Sequence, residues 1–568
     1  KIFYECSGIK TVGNIELSLC TNFSNAFYHC TSLQSVTTMY TPKLVSAWRI
    51  FEGCSSLVTV PIFDTTNVTI CDNLFAGCEK LNIDVGEFNL PKATNIIQLC
   101  YNCKSLTTVS NFNAPNVSNN STNIFCGCSS LTSIGNINLP KATSVAGLFK
   151  DCSALSTVGN LDLSATTTIT NILTGCVNLT SIGDITAPKA TTGGTNLFNG
   201  FSKLTSIGSL ILSAVTDITG LFGGCTALTN IAGINCNTVT TADDLFKDVT
   251  SITTLDNIQL SKATSCLNLF AKCSGVTKIG LINLNGIKTT GDLFAGAPNL
   301  TSITTMWIQA ATNCVDLFKS IKTKLVTLNT LNMNTISDAT SLFEGMTKLK
   351  TINNIHTNNL KIADRMFYGC TALEALNVGS PFVSKGITSA VSMFENCTNL
   401  IIDPGKCNWS NVVNAQHMFA NCAKITTVSA CNLPVATNTN GLFKDARNMT
   451  VITTMNVGKS TNCAEMFSGC AKLNTLTNLN VSSSLVDNET NIFSGCKLLK
   501  TIRFSGTKAF SLIDLSNTAL DSNTLTNLIT SLPKTTTGTL KIAGTSAATT
   551  VTDKQKKDAL YKGYVLTV

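Results

Sequence analysis

One phrase recurs along the chain at a fixed distance, and that period limits the possible folds more than anything else in the sequence. It reads LFAGCEKL at 74–81, LFGGCTAL at 221–228 and MFYGCTAL at 366–373. With the phenylalanine as position zero, copies fall at Phe3, Phe27, Phe51, Phe75, Cys100, Phe125, Phe149, Leu173, Phe198, Phe222, Phe246, Phe270, Phe294, Phe318, Phe343, Phe367, Phe394, Phe419, Phe443, Phe467 and Phe493. Of the 20 intervals between these 21 copies, 13 are 24 residues long and five are 25. A period that regular identifies a repeat array, so the usual division of length by about 150 residues per domain does not apply.

Within a copy, apolar residues stand one before, at, and three after position zero, a spacing that places them on one face of a short helix. Position +2 is Gly in 11 copies, including Gly53, Gly77, Gly224 and Gly495, and Asn or Asp in six more. These residues tolerate the left-handed conformation that ends a helix, which predicts about two turns stopping just after each Phe. An aliphatic residue or Met follows at +6, and the chain then reads IGNINL at 134–139, VGNLDL at 158–163 and IGSLIL at 207–212. This LxxLxL pattern predicts a short strand with one buried face. Pro91, Pro140 and Pro188 open the PKAT turns that lead to the next copy.

A unit of strand, turn and short helix cannot bury its own apolar face, so copies must stack. The expected fold is an α/β leucine-rich-repeat solenoid of about 21 coils, with a parallel sheet on one side and short helices on the other. At about 4.8 Å per strand, 21 coils would span on the order of 100 Å. Residues 1–502 form the array. Residues 503–568 lose the phrase and read as a C-terminal cap: a helix at 520–533 with Asp521 or Ser522 as its N-cap, a strand at GTLKIAG, then a charged helix and a final strand broken at Gly563. Lys1 falls inside a copy with no polar capping repeat before it, so more chain is expected upstream.

The array resembles the BspA-type leucine-rich-repeat surface proteins, whose repeats carry the F-x-G-C-x-x-L phrase between strands. WSNVVNAQHMFANCAKI at 409–425 is the nearest match to that family's form. The resemblance covers Lys1 to about Ile502. It implies non-enzymatic adhesion or host recognition at an extracellular surface, with protein or glycan as partner, in bacterial, protist or virus-borne proteins. The alternative is a structural spacer, filament subunit or virion fibre that self-assembles or attaches to a larger particle and whose recognition module lies elsewhere.

Fifteen of the 25 cysteines occupy position +3, where the remaining copies carry Phe201, Val249, Ala297, Ile321, Met346 and Ala446. Apolar substitutes of that kind predict packing rather than chemistry, since a free thiol behaves as a small buried hydrophobe. Metal ligation has only the C-x-x-C of Cys100 and Cys103 and the C-x-C of Cys126 and Cys128 behind it, with no histidine knuckle following. Disulfides between coils stay open: stacked Cα atoms come near enough, but equivalent side chains point the same way.

Nothing suggests a catalyst. His29, His356 and His417 are far apart in the repeat count, and no phosphate loop, nucleophile elbow or zinc-protease motif occurs. No cofactor or metal is expected. The net charge of +8 is mild for 568 residues, basic residues are not interleaved with aromatics as a nucleic-acid platform needs, and no apolar run reaches the length of a membrane span.

Lys43, Lys92, Lys141, Lys262 and Lys459 lie eight before a Phe and Lys189 nine before, all in the turn after the strand. Stacking would align them on one edge, either as a solvated rim or as a contact line for anionic glycan or an acidic protein surface. Thr/Ser pairs after the +6 residue read as hydroxyls satisfying backbone and water. Three departures from the repeat are further candidates: the insertion GSPFVSKG at 379–386 with Phe382 and Lys385, the Asp-bearing NIDVGEF and IIDPGKCNW segments, and the tryptophans Trp48, Trp307 and Trp409 as exposed anchors or buried packing.

Overall fold

The computed structural model describes residues 2–376, 386–481, 489–507 and 510–568. It divides into two compact units, one of Lys1–Ile287 with Leu293–Asn299, the other of Lys288–Asp292 with Leu300–Val568. Each is built of stacked coils, and the solenoid expected from the period is the fold.

In unit 1 the strands pair in parallel with equivalents one coil away, with one interruption after Asn230–Asn235. Ser206–Ile211 lies beside Asn230–Asn235 with Ser206 opposite Asn230 and Leu210 opposite Ile234. In unit 2, Ser302–Trp307, Thr327–Asn332 and Thr351–His356 repeat the arrangement, as do Thr427–Asn432, Val451–Asn456 and Thr475–Asn480. Most six-residue strands bury their second and fifth residues, as with Leu476 and Leu479 in Thr475–Asn480. That spacing is three, not the alternation of a straight strand, because each coil bends at mid-strand.

The bend is plainest where the strand splits into two-residue pieces, such as Ser133–Ile134 and Ile137–Asn138. There a column of amides and one carboxylate bridges the coils: the side-chain oxygens of Asn111, Asn136, Asn160 and Asp184 accept the N–H of Asn136, Asn160, Asp184 and Ser209 at 2.7–2.9 Å. Asp84 and Asp403 do the same where no strand forms. Each caps a 3-10 turn, Val85–Glu87 or Pro404–Lys406, and also accepts from the next coil, at Ser110 and Ser429. The two Asp-bearing irregularities therefore repair the ladder. Residues 379–385 of the insertion, including Phe382 and Lys385, lie outside the described residues.

The other side of each coil differs from the helix expected there. Residues −4, −2, 0 and +2 send their N–H groups to the next coil, as Phe23, Asn25, Phe27 and His29 do to the carbonyls of Ser46, Trp48, Ile50 and Glu52 at 2.7–3.0 Å. Between them run i to i−3 bonds such as Ala26 to Phe23 and Cys30 to Phe27. The segment is a succession of tight turns stitched to its neighbour, and the left-handed residues that make this possible stand at both −2 and +2: Asn25 and His29, Asn73 and Gly77, Gly441 and Asp445. Helix was expected because the apolar spacing of three and four suits either structure; the recurring Asn or Gly at −2 was the signal against it. Among the described residues, α-helix is confined to Ser522–Ser531, Ser546–Thr549 and Asp553–Tyr561.

The core is a stack of side chains. Successive phenylalanine rings lie nearly parallel, 5.3 Å apart for Phe27 and Phe51 and 5.0 Å for Phe343 and Phe367, and both pairs are fully buried. Each ring contributes about 2–3 kcal/mol from burial alone. Past the array, Asp521 and Thr524 form a capping box on Ser522–Ser531, which buries Leu525, Leu528 and Ile529. Strands Leu512–Asp514, Gly538–Lys541 and Tyr564–Thr567 continue in parallel, and Gly563 takes φ 87° at the break before the last.

Candidate functional site: a lysine edge and a buried thiol column

The turn after the strand in unit 1 places Lys43, Lys92, Lys141, Lys189 and Lys262 on one edge, all exposed. Asparagines stand between the first three. Asn67 donates to the Pro42 carbonyl and accepts from Lys92 Nζ at 2.7 Å; Asn116 donates to the Pro91 carbonyl and accepts from Lys141 Nζ at 2.7 Å. The first four lysines thus recur every second coil, about 10 Å apart at the spacing of parallel strands. None of the five is in an ion pair among the described residues. The nearby carboxylates Asp64 and Asp162 are engaged by their own turns, through Thr66 and Ser164.

Several charges on the turn-lined side of the coils are paired instead. In unit 2, Arg365 forks onto Glu344 at 2.6 and 3.2 Å and stacks 3.8 Å from the Tyr368 ring centroid, which holds the Glu344 carboxyl below its usual range. Lys444 meets Glu465 at 2.7 Å, and Glu395 faces His417 at 3.8 Å. In unit 1, Lys104 meets Glu79 at 2.8 Å. These are half-exposed pairs that contribute little stability.

The remaining anchors are scattered. Trp307 ends its strand in unit 2, half-buried opposite Asn332. Trp409 is not exposed: it is 1% accessible, its Nε1 donates to the Pro404 carbonyl at 2.9 Å and its ring meets Phe419 edge-on. Trp48 is 39% exposed with the Arg49 guanidinium 4.8 Å from its centroid. Lys459 is exposed in unit 2.

All 25 cysteines are free thiols. Those of the +3 column pack, and they also do something the sequence did not reveal: from Cys30 onward each reaches back one coil to the carbonyl of the position-zero residue. Cys54 donates to Phe27 at 3.0 Å, Cys128 to Cys100 at 3.1 Å and Cys370 to Phe343 at 3.0 Å. Burial pushes the Cys54, Cys225 and Cys273 thiols up to about 12, so they stay protonated donors. Among the described residues no cluster of three or more His, Cys, Asp or Glu is placed to hold a metal ion. The hydroxyl rows are likewise spent on backbone: Ser156, Thr180 and Thr205 each donate to the equivalent carbonyl one coil earlier, at 2.9–3.0 Å.

A family profile described as "Mycoplasma protein of unknown function, DUF285" matches residues 21–136, 192–307, 312–431 and 426–504, well over half of the chain. No curated protein sequence matches. Among solved structures, a leucine-rich repeat protein from Bacteroides ovatus is 15% identical, with 88% of this chain and 92% of that one covered and a TM-score of 0.22. A leucine rich cell surface protein from Faecalibacterium prausnitzii is 16% identical over 73% and 84%, TM-score 0.21, and a leucine-rich repeat protein from Eubacterium ventriosum 18% identical over 68% and 89%, TM-score 0.23. Superpositions that loose are no guide to a ligand. No helix among the described residues is long and apolar enough to cross a membrane.

Proposed function

The chain belongs to the DUF285 repeat family, and from that premise we propose that it is a non-enzymatic recognition solenoid, of the BspA-type surface class, working outside the cell. Its contact line is the lysine edge of unit 1, and its partner an anionic glycan or an acidic protein surface. One observation carries the reading: Lys43, Lys92, Lys141, Lys189 and Lys262 form no ion pair among the described residues, whereas Lys104 is paired with Glu79 and Lys272 with Asp248 on the turn-lined side. Cations about one Debye length apart act additively on a polyanion and are screened together by salt. Residues 503–568 serve as the cap of the array in this reading.

The test is retention of the full chain on immobilised heparin against neutral dextran, beside the variant with Lys43, Lys92, Lys141 and Lys189 changed to Ser. The intact chain should be held by heparin alone and released by salt, with the variant weakened about tenfold or more at low salt. Equal retention of both proteins would refute the reading. The uniformity of the coils favours a second one, a spacer or fibre element, and concentration-dependent self-association in light scattering without heparin binding would select it.

A further inference from the structure

In the regular coils of unit 1, consecutive strands exchange main-chain hydrogen bonds. Thr180 N–H reaches Ser156 O at 2.8 Å, Gly183 N–H reaches Val158 O at 2.9 Å, and in the other direction Leu161 and Leu163 reach Asp184 O and Thr186 O at 2.7 and 2.9 Å. Between Asn230–Asn235 and the next coil this exchange stops. Asn230–Asn235 pairs with Ser206–Ile211 behind it, and Thr254–Leu255 and Ile258–Gln259 pair with Lys278–Asn283 ahead, but the two do not pair with each other. The corresponding donors, the N–H groups of Ile234, Cys236, Thr253 and Asp256, reach no carbonyl of the facing coil among the described residues.

The cause is visible in the residues. Asn230–Asn235 is a continuous strand meeting a coil bent at Asn257, whose φ is 59°. At bent coils the N–H at the bend is received by a side chain one coil earlier, as Asp184 N–H is by Asn160 at 2.9 Å. The residue in that place before Asn257 is Gly233, which has no side chain to offer. Under the seam lies a cavity of about 160 Å³, bordered by Ile231, Gly233, Ile234, Phe246, Leu255 and Ile258. Ile231 and Ile234 are half-exposed, whereas Ile207 and Leu210 one coil earlier are buried.

We propose that this seam accepts one extended strand from a partner protein. Its two lips present unmet main-chain donors and acceptors over an apolar floor, and an extended peptide backbone with apolar side chains at alternate positions satisfies both. Entry parts the lips by one strand spacing, about 4.8 Å. The coils stay tied on either side of the opening by Gly224 N–H to Lys247 O at 2.8 Å and Ala242 N–H to Ser265 O at 3.0 Å. The site is built of main-chain groups rather than of the lysines, and its test does not depend on theirs.

The experiment is hydrogen exchange followed by mass spectrometry on the full chain, with and without a synthetic peptide of the strand TKIGLINL, residues 277–284, and with a scrambled peptide as control. Amides at 230–236 and 253–259 should exchange about tenfold or more faster than those at 181–186, and the peptide, not its scramble, should slow them by a similar factor. Gly233→Asn, which restores the bridging amide in an open position where an added Cβ meets nothing nearer than Ser209 Oγ at 3.9 Å, should slow exchange at the seam and abolish the peptide's effect. Seam amides as protected as their neighbours, or rapid exchange that the peptide leaves unchanged, overturns the proposal. The wild-type measurements decide this whatever the folding of the variant.

Discussion

Cys152 donates its thiol proton to the main-chain oxygen of Phe125, 3.1 Å away and 27 residues earlier. The same oxygen accepts the N–H of Cys128 inside its own coil. One carbonyl is thus bound both by the turn it closes and by the coil stacked on it. The relation recurs wherever the column holds cysteine from Cys30 onward, and it is lost at Ala297 and Ala446, where only the within-coil bond remains.

If the thiol both fills and donates, Cys152→Ala should cost about 1–2 kcal/mol, the sum of a small cavity and one weak hydrogen bond. Cys152→Ser, which retains a donor, should cost no more than Cys152→Ala. Urea denaturation midpoints measure both; a serine variant clearly worse than the alanine would mean that the column needs only an apolar body.

Buried thiols make stability depend on alkaline pH. Cys54, Cys225 and Cys273 are pushed from 9.0 up to about 12 chiefly by burial. The folded state favours the protonated form, so this contribution is complete below the unfolded value of about 9 and drains away as pH climbs from there toward 12. Denaturation midpoints should therefore fall above about pH 9, and native protein should titrate with a thiol reagent first at the partly exposed Cys6 and Cys20. Full modification of the native chain at neutral pH would contradict this.

At the acid end the C-terminal region should loosen. The Thr524 N–H and the Lys500 ammonium, 3.0 Å away, hold the Asp521 carboxyl down to about 2. A depressed carboxyl stabilises the fold above its ordinary value of 3.8, and the effect is lost as pH falls from there toward 2. Exchange of the Ser522–Ser531 amides should quicken over that window, and Asp521→Asn should flatten the dependence.

Lys272 tests the left-handed turn at +2. It sits at +2 with φ 57° and only an exposed 3.4 Å pair to Asp248. A left-handed residue prefers Gly to Ala, so Lys272→Gly should be the more stable of the two substitutions by about 1 kcal/mol. In a helix interior the order would reverse. Thermal or urea midpoints of the pair decide it.

The sequence by itself determined the coil. Its period, the phenylalanine stack, the buried +3 column and the lysines at one turn follow from spacing, because every coil repeats the same local environment and a residue's column is its position modulo about 24. Even the C-terminal helix and its Asp521 cap could be read from local pattern. What the stack does between coils was decided only in three dimensions. Residues −2 and +2 make turns rather than a helix because their N–H groups find carbonyls in the neighbouring coil, partners no single repeat contains. The asparagine bridges, the thiol bonds and the seam beside Gly233 share that origin: each depends on which residue of one coil lies over which residue of the next. Trp409 shows the limit from the other side, since an exposed anchor and a buried one are spelled alike until packing selects between them.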